Sequence, residues 1–278
     1  MEKTKVLFIH QDIFPYMKET EMSLIGRNLP QGIQERGKEV RIFTPRFATI
    51  NERRNQLHEV IRLSGLNLVL SNVDYPILLK VASIQKARMQ IYFIDNDVLF
   101  SSRKGSDVCD KNGHLFEDND NRMVFFSRGV VETIKKLNWP PDVIHCTGWF
   151  TAITPILLKT IFKDNHLFSN SKIVYTIYDD EFKEPIRAGL DQRVNDITAK
   201  LPEIPQEMLQ NIKGKVDYVA LSKLAIDNSD AIVFGSQKIN SELEAYAKAS
   251  GKPILPYHPA DTYIDAYNEF YDTIVATK

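Results

Sequence analysis

The chain has 278 residues, 43% of them hydrophobic and 26% charged, which reads as a globular protein long enough for one large or two modest domains. Its 35 Lys and Arg against 36 Asp and Glu leave no cationic excess for nucleic acid or an anionic membrane, and no apolar run approaches the ~18 residues of a membrane-spanning helix. Cys109 and Cys146 stand far apart without metal-ligand spacing, and a strand begins near residue 5 with no room for a signal peptide before it, so free thiols and a cytoplasmic location are expected.

Val6-Leu7-Phe8-Ile9 is a continuous apolar run, as in a strand buried on both faces. The polar segment from Gln11 to Thr20, with Pro15, predicts a loop at that strand's carboxyl end. Met22, Ile25, Leu29 and Ile33 then share one helix face, Gly37 stops the helix, and EVRIFTP follows as a second strand. Arg46 to Gln56 reads as loop. Leu57–Leu63 alternates like a half-exposed strand, and Tyr75–Ile84 and Met89–Ile94 are two further β-rich runs. Ser101 to Asp120 reads as a long surface loop. A helix is predicted over Asn121–Lys136 and stopped by Pro140-Pro141. A buried strand, Asp142–Cys146, comes next, and then a helix from Gly148 through Ile161.

Lys172–Tyr178 is the next strand, and Asp179 to Pro205 reads as irregular with short helices at most. Tyr218–Asn228 reads as helix, Ala231–Phe234 as strand, and Ser236–Ser250 as helix with Ser236 as N-cap. Pro253 to Pro256 is a short extended piece before a last helix, placed at about 259–276. Strands alternating with helices predict an α/β fold: a doubly wound, Rossmann-like, mostly parallel sheet with helices on both faces. In such sheets ligands bind beyond the carboxyl ends of the strands, so the loop carrying Asp12 and Lys18 is the first place to look for chemistry.

Five stretches, taken in order, resemble the N-terminal half of glycogen and starch synthases, two-domain GT-B glycosyltransferases. Phe14-Pro15, Lys18 and Leu29-Pro30 fall at the spacing of the family's FPxxKTGGLAD…LP. Asp120 to Phe126 resembles its DN…RF…F helix start, and Pro141 to Phe150 its PDVVHAHDWH. Thr176 to Asp180 resembles TIHNL, and Ser229 to Ser236 resembles ADHITAVS. The resemblance implies a single synthase-like domain over 1–278, with the C-terminal helix packing back on it. It also implies glucosyl transfer from ADP-glucose or UDP-glucose to an α-1,4-glucan. Lys18, His145, Trp149, Asp12, Tyr178 and Asp179 are the substrate-binding residues it suggests; no catalytic residue, metal or cofactor is assigned.

The departures from the family pattern point the other way. The two glycines that let backbone approach the donor's diphosphate are Thr20 and Glu21 here, and an acid beside a diphosphate is repelled by roughly 1 kcal/mol. The family's acid three residues later is Leu24. The second histidine and the aspartate of HAHDW are Thr147 and Gly148, and the histidine of TIHN is Tyr178. The family's second half, which supplies most nucleotide-sugar contacts, is not in this stretch.

A truncated, degenerate, inactive relative is therefore expected, with Tyr263, Tyr267, Phe270 and Tyr271 on one face of a returning helix. As partners, the resemblance suggests an α-glucan or nucleotide-sugar and a second protein that supplies the missing half; the alternative is a non-catalytic glucan- or protein-binding relative. Each residue also has a plainer role: Lys18 as a solvated loop charge, His145 as a hydrogen-bonded core residue, Trp149 as core. The acidic run Asp179, Asp180, Glu181 and Glu184 is either a solvated loop or a site for Mg²⁺ or Ca²⁺ in a different small-molecule enzyme.

Overall fold

The computed structural model describes residues 3–84, 87–103, 105, 107–196 and 202–277. Its centre is a nine-stranded sheet. In chain order the elements are β1 (Lys5–His10), α1 (Glu21–Glu35), β2 (Glu39–Pro45), β3 (His58–Glu59), β4 (Asn67–Leu70), β5 (Val73–Pro76), β6 (Leu78–Ile84) and β7 (Met89–Asp95). There follow α2 (Asn119–Leu137), β8 (Val143–Thr147), α3 (Thr154–Lys159), β9 (Lys172–Ile177), α4 (Leu190–Asp196), α5 (Tyr218–Asp227), β10 (Ala231–Phe234), α6 (Ser241–Ala249), β11 (Ile254–Leu255) and α7 (Tyr263–Ala276). The sheet order is β11-β10-β9-β8-β1-β2-β7-β6-β3, parallel from β11 to β7 and antiparallel at β6 and β3, while β4 and β5 form a separate hairpin.

Alternation along the strands divides the core in two. Leu7, Ile9, Ile144 and Ile173 face the layer of α2, α3 and α5, whereas Val6, Phe8, Val143 and Val174 face α1 and α7. Helices cover both faces, so the central strands are apolar on both sides, as parallel sheets require.

α7 lies along α1 on one face. Gly32 admits Ile264 so closely that a Cβ there would sit 2.4 Å from it. Arg36 pairs with Asp265, and Lys38 with Asn268 and Asp272. Tyr263, Tyr267 and Tyr271 of α7 are buried, and Phe270 is half-buried.

Several local expectations are corrected. The first residue of α6 is Ser241, not Ser236. Asn240 caps it, because the Ser236 hydroxyl is drawn instead to the Glu21 carboxylate at 2.8 Å. Only His58–Glu59 of the Leu57–Leu63 run pairs as strand, on an exposed edge. Tyr75–Ile84 divides at Ile77 into β5 and β6, which belong to different sheets. The stretch after Gly148 is a 3-10 turn, Trp149–Thr151, followed by the short α3 with Pro155 in its first turn.

Candidate active-site cleft at the carboxyl edge

β1, β8, β9 and β10 all end on one edge of the sheet, where α1 begins. Thr20 caps α1: its hydroxyl accepts from the Ser23 amide at 3.1 Å, and the Ser23 hydroxyl accepts from the Thr20 amide at 2.9 Å. Glu21 occupies the first turn, where the helix dipole favours an anion. Its carboxylate accepts from the Ser236 hydroxyl, which in turn accepts the Asp179 amide at 3.3 Å. The ends of β9 and β10 are thus tied to one helix start. Between them lies a cavity of about 290 Å³ lined by Asp12, Glu21, Tyr178, Asp179, Asp180 and Ser236, with Gln11, Thr20 and Met22.

The cleft is acidic. Burial pushes the Asp12 carboxyl up to about 7, and the charges of Asp107 and Asp180 add to the shift. Burial also raises Asp180, to about 6, against hydrogen bonds from the Tyr218 hydroxyl (2.7 Å) and the Trp149 amide (3.3 Å) that favour its charged form; the Asp179 charge adds to the rise. Two carboxyls that titrate near neutrality face one cavity, a pattern found at sites of proton transfer.

A second cavity, about 430 Å³, adjoins the first through Asp180. Trp149, Phe182, His114 and Glu184 line it, and His114 and Glu184 bond to each other at 2.7 Å. Trp149 is 3% exposed, and its ring packs edge-on to Phe182 at 4.9 Å.

The walls are backbone-tight. Gly148 has φ +83°, and a Cβ there would meet Gln11 Oε1 at 2.8 Å and Met22 Sδ at 3.0 Å. Gln11 Oε1 is already committed to the Phe150 amide at 3.0 Å. Gly26 lets Asp12 approach α1, since a Cβ would fall 2.5 Å from the Asp12 carbonyl. Gly235 similarly makes room for the Tyr178 ring.

Of the residues singled out from sequence, Asp12, Tyr178 and Asp179 line the first cavity and Trp149 the second. Lys18 is exposed on the loop and makes no ion pair or side-chain hydrogen bond among the described residues. His145 reaches neither cavity. It is 1% exposed beneath α7, with one ring nitrogen against the Thr176 hydroxyl at 2.5 Å and the other against the Tyr271 hydroxyl at 2.7 Å. Burial holds it well below the ordinary histidine range, and the nearby His10 adds to the shift. Its plainer role, a hydrogen-bonded core residue, is the one the contacts support, because β8 turns position 145 toward α7 and not toward the strand ends.

Cleft residues not among the suggested substrate-binding ones include Gln11, Ser236 and Asp180, the last named from sequence only within the acidic run. Their signal was position alone, at or just past a strand's carboxyl end. Among the described residues no group of three or more His, Cys, Asp or Glu side chains is placed to hold a metal ion, and no helix is long and apolar enough to cross a membrane.

Residues 5–252 match the family of starch synthase catalytic domains. Similar proteins include a glycogen synthase of Pelodictyon phaeoclathratiforme, 28% identical over 264 residues, covering 93% of this chain and 51% of that protein. Another is a glycogen synthase of Chlorobium phaeobacteroides, 33% identical over 234 residues, covering 84% of this chain and 46% of that protein. Among solved structures, the catalytic domain of starch synthase IV from Arabidopsis thaliana, bound to ADP and acarbose, superposes with a TM-score of 0.70 at 16% identity, over 94% of this chain and 53% of that one. This chain therefore spans about half the length of such relatives, and at that identity the structural likeness speaks for the fold. With most of its length matched in order, the chain belongs to the starch synthase catalytic domain family of glycosyltransferases.

Proposed function

We propose that the carboxyl-edge cleft binds the hydroxyl groups of an α-1,4-glucan and that these residues alone do not hold the diphosphate of a nucleotide sugar. Glucosyl transfer from ADP-glucose or UDP-glucose, the activity the family implies, then needs the donor-binding half of the two-domain scaffold, from more of the same polypeptide or from a second protein.

One observation carries this reading: Glu21, in the first turn of α1, is held toward the cleft by Ser236 at 2.8 Å. A helix start is a ready anion site because its first amides are free and its dipole is positive there. Here the Thr20 hydroxyl takes one of those amides and the Glu21 carboxylate supplies the favoured negative charge. A diphosphate in the same place would meet a like charge, a repulsion of roughly 1 kcal/mol or more in screened surroundings. Sugar hydroxyls are instead good donors to Asp12, Asp179 and Asp180, and Phe182 gives a half-buried ring beside them.

Calorimetric titration of the purified chain with maltoheptaose and with ADP separates the outcomes, alongside an assay of nucleotide release from ADP-glucose and UDP-glucose with glycogen. Glucan binding, with neither ADP binding nor turnover, is expected. Turnover by this chain alone, or ADP bound more tightly than glucan, overturns the reading.

A further inference from the structure

The other edge of the sheet carries a cavity of opposite charge. At the amino ends of β2 and β7, Lys3, Lys38, Arg41, Arg88, Gln34 and Gln90 border a space of about 490 Å³, within the range of ~300–1,000 Å³ that small-molecule sites occupy. Among the described residues one acid lies on its wall, Glu39, whose carboxylate accepts from the Trp139 indole at 2.6 Å and so is held against that ring. Of the four cations, Lys38 is neutralised by Asp272 at 2.8 Å. Lys3, Arg41 and Arg88 have neither ion pair nor side-chain hydrogen bond among the described residues, so three positive charges border one cleft against the single negative charge of Glu39.

Arg41 is the most telling of the three. Its guanidinium lies over the Trp139 ring, 5.0 Å from the centroid, and its Nε is shielded from water without an acceptor. A stacked guanidinium is held rigidly and loses little freedom when it engages an oxyanion. The amides of Gln34 and Gln90 add neutral donors and acceptors on the same wall.

We propose that this amino-edge cleft is a second ligand site, for the phosphomonoester of a small hydroxylated molecule: Arg41, Arg88 and Lys3 take the phosphate dianion, and the glutamine amides take the hydroxyls. It lies a strand's length, roughly 20 Å, from the carboxyl-edge cleft, and it does not depend on what that cleft binds.

The test is calorimetric titration of the chain at low salt with inorganic phosphate, glucose 1-phosphate and glucose. Alongside the parent, Arg41→Gln, Arg88→Gln and, as a charge-matched control on another surface, Lys163→Gln are titrated. Saturable binding of glucose 1-phosphate is expected, tighter than that of phosphate, with none for glucose. Each arginine variant weakens it about ten-fold, and Lys163→Gln leaves it unchanged. Arg41→Gln also removes packing on Trp139, whereas Arg88 is exposed, so Arg88→Gln gives a clean readout if the other variant is unstable. No saturable binding, equal weakening by Lys163→Gln, or a preference for vesicles of anionic phospholipid over the soluble ester overturns the proposal.

Discussion

The two edges of the same sheet are charged oppositely although the chain as a whole is nearly neutral. The carboxyl edge gathers Asp12, Glu21, Asp179 and Asp180 around one cavity, and the amino edge gathers Lys3, Lys38, Arg41 and Arg88 around another. Part of this follows from chain direction. A helix that crosses back between parallel strands starts at their carboxyl edge and finishes at their amino edge, so its positive end asks for acids at the first and its negative end for bases at the second. Glu21 opens α1, and Arg36 and Lys38 follow its end; Asp120 opens α2, and Lys135 and Lys136 close it. The dipole does not account for Arg41 and Arg88, which sit at the starts of β2 and β7. Charges that secondary structure explains are weak pointers to ligands; those it leaves unexplained are better ones.

The largest expected effect breaks the carboxyl edge by returning the family's aspartate to position 148. Gly148→Asp puts a side chain at φ +83° and within 2.8 Å of Gln11 Oε1, and should cost about 3 kcal/mol of stability in urea denaturation. A variant as stable as the parent would show that this wall yields.

The acidic cleft has a pH signature. Asp12 titrates at about 7 when folded against 3.8 ordinarily, so its contribution favours folding below pH ~4 and is lost as the pH rises through 7. Asp12→Asn should therefore stabilise the chain by roughly 2 kcal/mol at pH 8 and leave it unchanged at pH 4. Buried His10, lowered from 6.5 to about 3, has the opposite sign: its contribution is present above pH 6.5 and fades as the pH falls. Comparing Asp12→Asn with the parent at each pH cancels that term. An equal shift in melting temperature at both pH values would contradict the assignment.

Smaller effects sharpen the contrast between the edges. Glu21→Gln removes a charge from the start of α1 and should raise affinity for ADP by about five- to ten-fold at low salt, the equivalent of roughly 1 kcal/mol. If ADP affinity does not move, Glu21 is not what keeps a diphosphate out. At the other edge, Glu39→Gln keeps an acceptor for the Trp139 indole, so stability should change by less than about 0.5 kcal/mol. With the cleft's one acid gone, phosphate should bind a few-fold more tightly; weaker binding would mean that Glu39 itself contacts the ligand.

Apolar runs made the framework legible. Val6 to Ile9, Ile42 to Pro45, Val143 to Cys146 and Ile173 to Tyr178 are buried from both sides, as the inner strands of a parallel sheet require. Strand ends singled out Asp12, Tyr178 and Asp179, and the fold brings these three to one cavity. Ser236 misled because hydroxyls cap helices in general, and only the approach of Glu21, 215 positions away in sequence, showed that this one was taken. His145 was open between two roles for a related reason: being near the end of a strand does not say which way a side chain faces, and the period of two sent it under α7, to Tyr271.

The order of apolar runs, helix faces and stop signals specified a doubly wound sheet, because that is written in local periodicity, and five short motifs in order carried the resemblance to its family. Which polar groups share a cavity was decided only by folding, because that depends on the register of strands far apart in the chain and on which partner reaches each hydroxyl, carboxylate or guanidinium first. Arg41 is the plainest case: in sequence it is one basic residue in a strand, and only the fold lays it over Trp139 and on the wall of a cleft.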